Sequence, residues 1–401
     1  MDVFVARFPV FDGSRNVSVY ELAFRPGYEQ CCLDPEAASQ GLMTLLNFEE
    51  LSGGKKALVH FPRELMLAGF PQLFSSDAMI PCVDGLLESD NDIIIRCQQL
   101  RKRGYLLAVD NFSPSVANGP LSSLTSLARV HVAHHSPQEL QLICDECCTR
   151  QILVGAQDID TPEQFTQAAQ MGFALFQGQF FNRPDVIIGN ELAHNQLLCL
   201  QLMREVNQQP FSYDTVAALI EQDVGLTYRL LRLINSAWFG LRYEVRSIRH
   251  ALVLLGPVEI QQWASLVALS QAGEAKPELL MLALTRAKFA ESLAVICGLR
   301  RNASELFLMG MFSVIDALMD QPMEKMLAEV PLSMNIKNAL LAGTGPYANV
   351  HRMMLAYENA DWPTLSRMAS TMNIPETPLA PAFRKSMSWA TRALQSDAAA
   401  A

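Results

Sequence analysis

The sequence predicts an α/β barrel followed by an all-helical domain, and two observations support this prediction. Up to about residue 185, eight short apolar runs alternate with helical segments, a pattern typical of buried parallel strands joined by helical crossovers. From residue 190 onward, strand-like runs almost vanish and helical stretches follow one another. We therefore expect a TIM-like (β/α)8 barrel over residues 1–188 and a helical domain over 189–395.

The eight apolar runs are the predicted strands. They cover residues 3–10, 17–24, 57–61, 78–83, 105–110, 128–133, 151–156 and 173–180. The connection between the first two runs, from Phe11 to Asn16, is too short for the crossover that parallel strands need. The first strand is therefore expected to be antiparallel to the second.

Two helices of the barrel region have clear sequence boundaries. A helix over 91–103 is expected to end at Gly104, since glycine commonly terminates helices. A second begins with a capping box formed by Thr161 and Gln164 and ends at Gly172. These helices are expected to be crossovers between strands.

The second half of the chain contains a series of predicted helices. They cover 190–206, 213–221, 225–235, 247–270, 277–298, 302–319, 335–342, 347–359 and 361–371. The breaks between them fall at prolines and glycines, which interrupt helices. The last residues, 397–401, are expected to fray.

Composition restricts the classes of function. The net charge of -10 argues against a nucleic-acid or anionic-membrane surface, because both are bound by clustered Lys and Arg. Half of the 401 residues are apolar, but no run is long enough for a membrane span and no signal peptide is visible. The nine cysteines lack a regular spacing, which favours reduced thiols in a cytoplasmic protein over a zinc site.

A candidate site is expected at the carboxyl ends of the barrel strands, where barrels of this type place their active sites. The polar side chains there are His60, Cys82, Asp110, Asn111, His131, Gln157 and Gln177, together with Glu21 and Arg25 on the second strand. A two-metal phosphodiester site needs several carboxylates. Here Glu21 and Asp110 are the carboxylates of the set, and Glu21 with Arg25 could also be a simple ion pair.

These motifs resemble the EAL-domain family of cyclic di-GMP phosphodiesterases. Glu21–Arg25 is similar to the signature of that family, and Val109–Phe112, Gly155–Asp160 and Phe176–Phe181 are similar to its later motifs in the same order. The resemblance covers about residues 1–185. It implies a barrel that binds cyclic di-GMP at its carboxyl end.

The resemblance also implies that most of the metal and catalytic set is replaced. Glu21 and Asp110 match. His60 stands where the family has an Asn on the third strand, Cys82 where it has a Glu on the fourth, and Asn111 where it has the second Asp of an Asp-Asp pair. His131 replaces the Lys that helps activate water, Ala133 the Asp two residues later, and Gln157 the Glu on the seventh strand. Because Mg²⁺ binds weakly without carboxylates, we expect no metal, no cofactor and no hydrolysis, as in a pseudoenzyme.

Nucleotide binding is a separate expectation. The resemblance implies that Arg25 contacts a phosphate and that Gln177 lies near the ligand, and both residue types are kept. Phe8 stands where the family has a Gln, which removes a hydrogen-bonding group. Arg25 and Gln177 are therefore the ligand-binding candidates.

The helical region resembles the HDOD domain, an output-type domain related to HD phosphohydrolases. The resemblance lies in residues 221–226, 230–240 and 248–256. Metal-dependent HD enzymes need a His-Asp pair, and Ser313-Val314 stands in its place here. Asp316 alone cannot replace the missing ligands, so this domain is also expected to lack metal chemistry.

The leading interpretation is a non-catalytic signalling adaptor in cyclic di-GMP-related regulation that acts through protein–protein contacts. One alternative is a cyclic di-GMP receptor without hydrolysis. Another is a weakly active phosphodiesterase that uses His60 and His131 in an altered metal set. An unidentified protein partner and a homodimer are expected, whereas nucleic acid and membrane are not.

Overall fold

The computed structural model describes residues 4–25, 52, 54–182, 201–208, 211–221, 226, 230, 248–272, 276–330 and 332–398. Contacts divide the chain into two units. The barrel unit is Met1–Arg183 with Leu355–Thr391, and the helical unit is Pro184–Met354 with Arg392–Ala401. The predicted boundary at 188/189 lies outside the described residues and stays a prediction. The return of Leu355–Thr391 to the barrel unit was not expected.

Eight strands form a closed barrel in chain order. They are β1 (Val5–Asp12), β2 (Val17–Phe24), β3 (Ala57–His60), β4 (Met79–Asp84), β5 (Ala108–Asp110), β6 (Leu127–His131), β7 (Leu153–Gln157) and β8 (Leu175–Phe176). Strands β2 to β8 are parallel, and β1 is antiparallel to both β2 and β8. The predicted barrel with an antiparallel first strand is confirmed.

The β1–β2 connection shows why this first pair is antiparallel. The Asp12 carboxylate accepts hydrogen bonds from the backbone N–H groups of Ser14 and Asn16, each at 2.9 Å. Arg15 between them has a φ of 62°, in the left-handed region that tight turns use. The turn reverses the chain at once, and the resulting register places Phe8 opposite Glu21.

Apolar side chains from most of the strands fill the barrel interior. The buried cluster is Val10, Val19, Leu58, Ile80, Cys82, Ala108, Leu127 and Leu175. Polar interior side chains therefore gather at the carboxyl end of the barrel, beyond this apolar layer. That arrangement defines the barrel mouth, by which we mean the carboxyl ends of β2 to β8.

Two of the five crossover helices had predicted boundaries, and both follow them closely. They are α1 (Arg63–Leu67), α2 (Asn91–Lys102), α3 (Pro114–Asn118), α4 (Pro137–Thr149) and α5 (Pro162–Met171). Thr161 and Gln164 form the predicted capping box of α5, and Gly172 ends it with a φ of 100°. Gly104 follows α2 with a φ of 88°, as a helix-terminating glycine does.

The helices after the barrel are α6 (Tyr213–Ile220), α7 (Ile248–Leu255), α8 (Pro257–Ala272), α9 (Pro277–Ile296), α10 (Ala303–Phe312), α11 (Ile315–Met319), α12 (Met323–Glu329), α13 (Met334–Leu341), α14 (Ala348–Glu358), α15 (Trp362–Thr371) and α16 (Leu379–Ala398). Residues 201–206 are also helical. The predicted helix 225–235 and most of the segment 221–240 lie outside the described residues. None of the described helices is long and apolar enough to cross a membrane.

Two predicted helices are each divided in the structure, and one long helix was not predicted. The expected helix 247–270 breaks at Gly256, which has a φ of 84°, giving α7 and α8. The expected helix 302–319 ends at Ser313 and restarts as α11. Helix α16, with 20 residues, was missed because its apolar positions are interspersed with Ser, Thr and basic residues.

The C-terminal segment of the barrel unit is attached by aromatic packing. Phe4, just before β1, lies 5.8 Å from the ring centre of Tyr357 and 5.9 Å from that of Trp362. Asn359 accepts a hydrogen bond of 3.2 Å from Gln179, which follows β8. Because β1 runs against the other strands, its beginning lies at the barrel mouth. The segment 355–391 therefore borders the mouth.

Candidate site at the barrel mouth

Arg129 is at the centre of the polar cluster. It is the charged residue of β6, whose sequence is Leu-Ala-Arg-Val-His, and its exposure is 3%. Its Nη1 and Nη2 donate to the two carboxylate oxygens of Glu21 at 3.0 and 2.7 Å. A buried charge is unfavourable unless it is paired, and this two-bond geometry is the strongest pairing an arginine makes. Arg129 and Glu21 therefore form an internal ion pair across the barrel.

Three further side chains contact this pair. The Gln177 oxygen accepts from Arg129 at 2.7 Å, and the Gln177 amide donates to Glu21. Asp110 places Oδ2 at 3.7 Å from the guanidinium, and the Cys82 sulfur lies 3.8 Å from it. The side chains that surround Arg129 thus come from β2, β4, β5 and the residue after β8.

The protonation states follow from this arrangement. Burial alone would raise the pKa of Glu21, but the charge of Arg129 and the hydrogen bonds from Gln177 and Arg129 hold that pKa below its usual value. Burial raises the pKa of the Cys82 thiol to about 12. Glu21 is therefore a carboxylate at neutral pH, and Cys82 is a protonated thiol, which is a poor nucleophile.

His131 is held between two carboxylates at the edge of the cluster. Its Nδ1 lies 2.6 Å from Asp158 and its Nε2 lies 3.9 Å from Asp110. In the amide orientation that satisfies its neighbours, Gln157 donates to Asp110 at 2.8 Å and accepts from Arg129 at 2.6 Å. The imidazole ring is therefore fixed by Asp158 on one side and directed toward the interior on the other.

The loops after β5, β7 and β8 contain residues with positive φ values. Asn111 and Asp158, each directly after a strand, have φ values of 50° and 61°. Non-glycine residues in this region are uncommon and concentrate at functional sites. At Gly178 (φ 152°) a Cβ would lie 2.0 Å from the Ile159 carbonyl oxygen. Glycine there lets the β7 and β8 loops touch, which positions Gln177.

Arg25 lies at the rim of the mouth and contacts the C-terminal segment. Its guanidinium pairs with Glu376 and donates to the Ser366 hydroxyl at 2.7 Å. It also stacks over the Phe4 ring at 5.0 Å. Burial would raise the pKa of Glu376, but the hydrogen bonds from Arg25 and Ser366 lower it. The alternative of an ion pair between Glu21 and Arg25 is wrong, because each has another partner.

The structure brings together most of the predicted site residues. Glu21, Cys82, Asp110, His131, Gln157 and Gln177 meet around Arg129. His60 pairs in register with Cys82 at the end of β3. Asn111 points to the rim instead, where it donates to Asp84 at 3.2 Å. The ligand roles of Arg25 and Gln177 stay predictions.

Arg129, Asp158 and Asp84 were not among the predicted site residues. Strand β6 ends at His131, and Ala133 lies in the turn after it. The two residues of this strand that face the cluster are therefore Arg129 and His131, not His131 and Ala133. A single charged residue within an apolar strand was the available signal, since such a residue needs an internal partner.

The donor set does not fit a divalent ion in this arrangement. Both carboxylate oxygens of Glu21 accept from Arg129, and Asp110 faces the same guanidinium. Within the ranges that the structure describes, no three His, Cys, Asp or Glu side chains are grouped so that they could hold a metal. The expectation of no metal stays a prediction.

The helical unit has a different polar centre at the predicted degenerate HD position. Arg286 of α9 donates to the Ser313 hydroxyl at 3.1 Å, and that hydroxyl donates to the Gly310 carbonyl at 2.6 Å. Burial raises the pKa of Asp316. Ser313 is thus part of a helix end.

A closed barrel with an antiparallel first strand, joined to a helical domain, defines the class of two-domain EAL–HDOD proteins. The HDOD domain family matches residues 195–338. The protein YuxH of Bacillus subtilis is 30% identical over 391 residues, covering 94% of this chain and 95% of YuxH. The chain therefore belongs to the same family as YuxH and has the EAL–HDOD two-domain architecture.

Two further comparisons concern cyclic di-GMP. CdgJ of Vibrio cholerae, named a cyclic di-GMP phosphodiesterase, is 29% identical over 378 residues, covering 90% of this chain and 85% of CdgJ. The structure of the Bacillus subtilis YkuI protein, which has an EAL domain and contains substrate cyclic di-GMP and calcium, is 18% identical. It covers 44% of this chain and 54% of YkuI with a TM-score of 0.37.

The CdgJ comparison corrects one prediction. The expectation that the chain is a pseudoenzyme is contradicted, because a relative that matches 90% of it is named as a phosphodiesterase. The expectation rested on comparing residue types one position at a time. Replacement of individual ligands by His, Cys and Gln therefore does not establish that hydrolysis is lost.

Proposed function

We propose that the protein binds cyclic di-GMP at the barrel mouth and hydrolyses one of its phosphodiester bonds. The observation that carries the proposal is the match with CdgJ, which extends through the barrel and the helical domain alike. The charged cluster of Glu21, Asp110, Arg129 and His131 lies where barrels of this type place their active sites.

The cluster contains groups suited to this chemistry. His131 is the candidate for proton transfer, because Asp158 fixes Nδ1 and Nε2 faces the interior. In its satisfied orientation the Gln157 amide donates to Nε2 at 3.3 Å, so the attacking water would have to take the place of that amide. As water attacks phosphorus, one of its protons passes to the imidazole, the bond from phosphorus to the ribose oxygen breaks, and that oxygen takes up a proton from solvent to become a hydroxyl. Arg129 holds Glu21 and Gln177 in place and offsets one of the two carboxylate charges that the phosphate would meet. The product is the linear dinucleotide.

The test is incubation of the purified full chain with cyclic di-GMP and chromatographic detection of the linear dinucleotide. Reactions contain Mg²⁺, Mn²⁺ or EDTA, so that any requirement for a divalent ion is measured. His131→Ala is expected to lower the rate by about a hundredfold or more. His135→Ala, in the loop after the β6 turn, is the matched control. Absence of product with every cation would reject hydrolysis.

Calorimetric titration tests the binding half separately. Cyclic di-GMP should release heat with the full chain at one site, and Gln177→Ala should weaken the binding because Gln177 orients both Glu21 and Arg129. No heat at high micromolar ligand would reject the barrel mouth as a cyclic di-GMP site. If the titration shows binding but the incubation gives no linear dinucleotide, the binding part of the proposal stands and hydrolysis is rejected.

Protein–protein contact through the helical domain is a second candidate function. Val253 and Leu254 of α7 and Val258 of α8 are exposed large apolar side chains close together in sequence. A contiguous exposed apolar patch is typical of interaction surfaces, and these three side chains are where such a patch is tested. Leu254→Glu should abolish a specific cross-linked partner of the full chain, whereas Leu142→Glu on α4, also exposed, should not. Equal cross-linking in both variants would reject this surface.

A further inference from the structure

We infer that Arg129 is the resident cation of the barrel mouth, so that its guanidinium takes the place of a divalent ion between Glu21 and Asp110. The site would then receive cyclic di-GMP without a divalent ion. The binding of cyclic di-GMP without a divalent ion rests on the proposed function. The occupation of the cation position by Arg129 does not.

The first support is the geometry of the oxygen atoms around Arg129. The guanidinium donates to both oxygens of Glu21 and to the oxygen of Gln177. In the amide orientation that satisfies the neighbours of Gln157, the Gln157 oxygen also accepts from it. Asp110 Oδ2 is 3.7 Å away. Carboxylate and amide oxygens are the ligands that Mg²⁺, Mn²⁺ and Ca²⁺ use. Arg129 therefore contacts the set of oxygens that a hard cation would require.

The second support is charge. Without Arg129, Glu21 and Asp110 would place two negative charges in one interior site, and carboxylate charge is what gives such sites their cation affinity. An arginine side chain keeps its positive charge in proteins, and the attraction of Glu21 raises the pKa of Arg129 further although burial opposes it. The positive charge is thus permanent, and it offsets one of the two negative charges.

A surface arginine with two carboxylates at matching distances provides a comparison. Arg63 lies 2.7 Å from Asp90 and 3.7 Å from Asp92, distances that match those from Arg129 to Glu21 and Asp110. Arg63, however, is 43% exposed and solvent screens its charge. If Arg129 were only an ion pair, its removal would cost stability and nothing more. The inference predicts a new property, the binding of a metal ion.

The test uses the full chain and Mn²⁺ alone, with free Mn²⁺ followed by electron paramagnetic resonance. Arg129→Met is expected to bind one Mn²⁺ at least about tenfold more tightly than the wild type. Adding Glu21→Gln to that variant should abolish the gain. Arg129→Lys keeps the positive charge and should bind no more than the wild type, and Arg63→Met is the matched surface control.

Three outcomes would overturn the inference. The wild type could bind Mn²⁺ in a manner that Glu21→Gln abolishes, a folded Arg129→Met could gain no ion, or Arg63→Met could gain as much. If the Arg129→Met protein does not fold, the Arg129→Gln protein is titrated with Mn²⁺ instead. If neither variant folds, the Mn²⁺ titration of the wild type decides. Wild-type binding that depends on Glu21 rejects the inference, and its absence supports it.

A cyclic di-GMP titration in EDTA separates the inference from the proposed function. Binding that is unchanged by EDTA supports the inference, and binding restored only by Mg²⁺ or Mn²⁺ overturns it. Absence of binding under all conditions rejects the proposed function. In that case the inference about Arg129 is still tested, because Mn²⁺ binding by the Arg129→Met variant does not depend on cyclic di-GMP.

Discussion

The centre and the rim of the barrel mouth each hold an arginine, and the two are stabilised differently. Arg129 at the centre is 3% exposed and pairs with Glu21 from the opposite side of the barrel. Arg25 at the rim has a side chain that is 32% exposed and pairs with Glu376 of the C-terminal segment. The central charge is locked by the barrel itself, whereas the rim charge is held by a segment that follows the helical unit in sequence.

This difference matters because burial changes the strength of an ion pair. Removing one partner of a buried pair leaves an uncompensated charge, at a cost of about 3–5 kcal/mol. Partly exposed pairs are screened by water and contribute little. The charge at the centre is therefore expected to contribute more to stability than the charge at the rim, which is expected to adjust ligand affinity. Four predictions test this division.

The largest effect is expected at the centre. Arg129→Met should lower the free energy of unfolding by about 3–5 kcal/mol, a large fraction of the roughly 5–15 kcal/mol typical of folded domains. Chemical denaturation, followed by circular dichroism, measures it. Arg63→Met should have only a small effect on the same scale. Comparable losses from the two variants would show that the centre is not distinct from the surface.

At the rim, aromatic packing should matter more than the ion pair. Trp362 is buried at the start of α15 and makes edge contacts with Phe4 and Tyr357 at 5.9 and 5.4 Å. Trp362→Ala should cost about 3–5 kcal/mol, and the loss should be local to the segment 355–391. Hydrogen exchange would show faster exchange in α15 than in β6. Equal acceleration in both would contradict the local attachment of the segment.

The acid stability of the centre depends on Glu21. Its pKa is lower in the folded protein than the usual value of about 4.3, so its ionised form stabilises the fold above that pH. The contribution is lost as pH falls through the folded-state pKa, because both states are then protonated. Urea unfolding at neutral pH and near pH 3 should show a smaller pH dependence for Glu21→Gln than for the wild type.

Glu376→Gln provides the rim control for that measurement. The pKa of Glu376 is also lowered, but its side chain is 30% exposed and its contribution should be weaker. If the two variants changed the acid dependence equally, Glu21 would have no special role in stability.

The sequence predicted the barrel well because its signals are local. Short apolar runs, the tight connection after β1 and the capping box at Thr161 depend on neighbouring residues. The polar residues at strand ends also met as expected, since carboxyl ends of parallel strands share one edge. A local pattern thus determines which residues reach the mouth.

Pairing across the fold could not be predicted in the same way. Glu21 and Arg129 are separated by 108 positions, and Arg25 and Glu376 by 351. A sequence motif predicts which residue type stands at a position, but not which distant residue that side chain will contact. Arg25 was expected to contact a phosphate, yet in the structure it contacts Glu376 and Ser366. The return of 355–391 to the barrel unit was missed for the same reason.

The smallest expected effect links the rim to ligand affinity. Glu376→Gln removes the negative partner of Arg25 and leaves the guanidinium available for a phosphate of cyclic di-GMP. Because the pair is partly exposed, its loss should tighten binding by only about two- to tenfold. Calorimetry measures this shift, with Glu163→Gln, an exposed position on α5, as the control. The gain should disappear when Arg25→Ala is added, because no guanidinium would then be released. Weaker binding in Glu376→Gln would instead mean that the attached segment forms part of the ligand site, and the rim would then belong to the same functional unit as the centre.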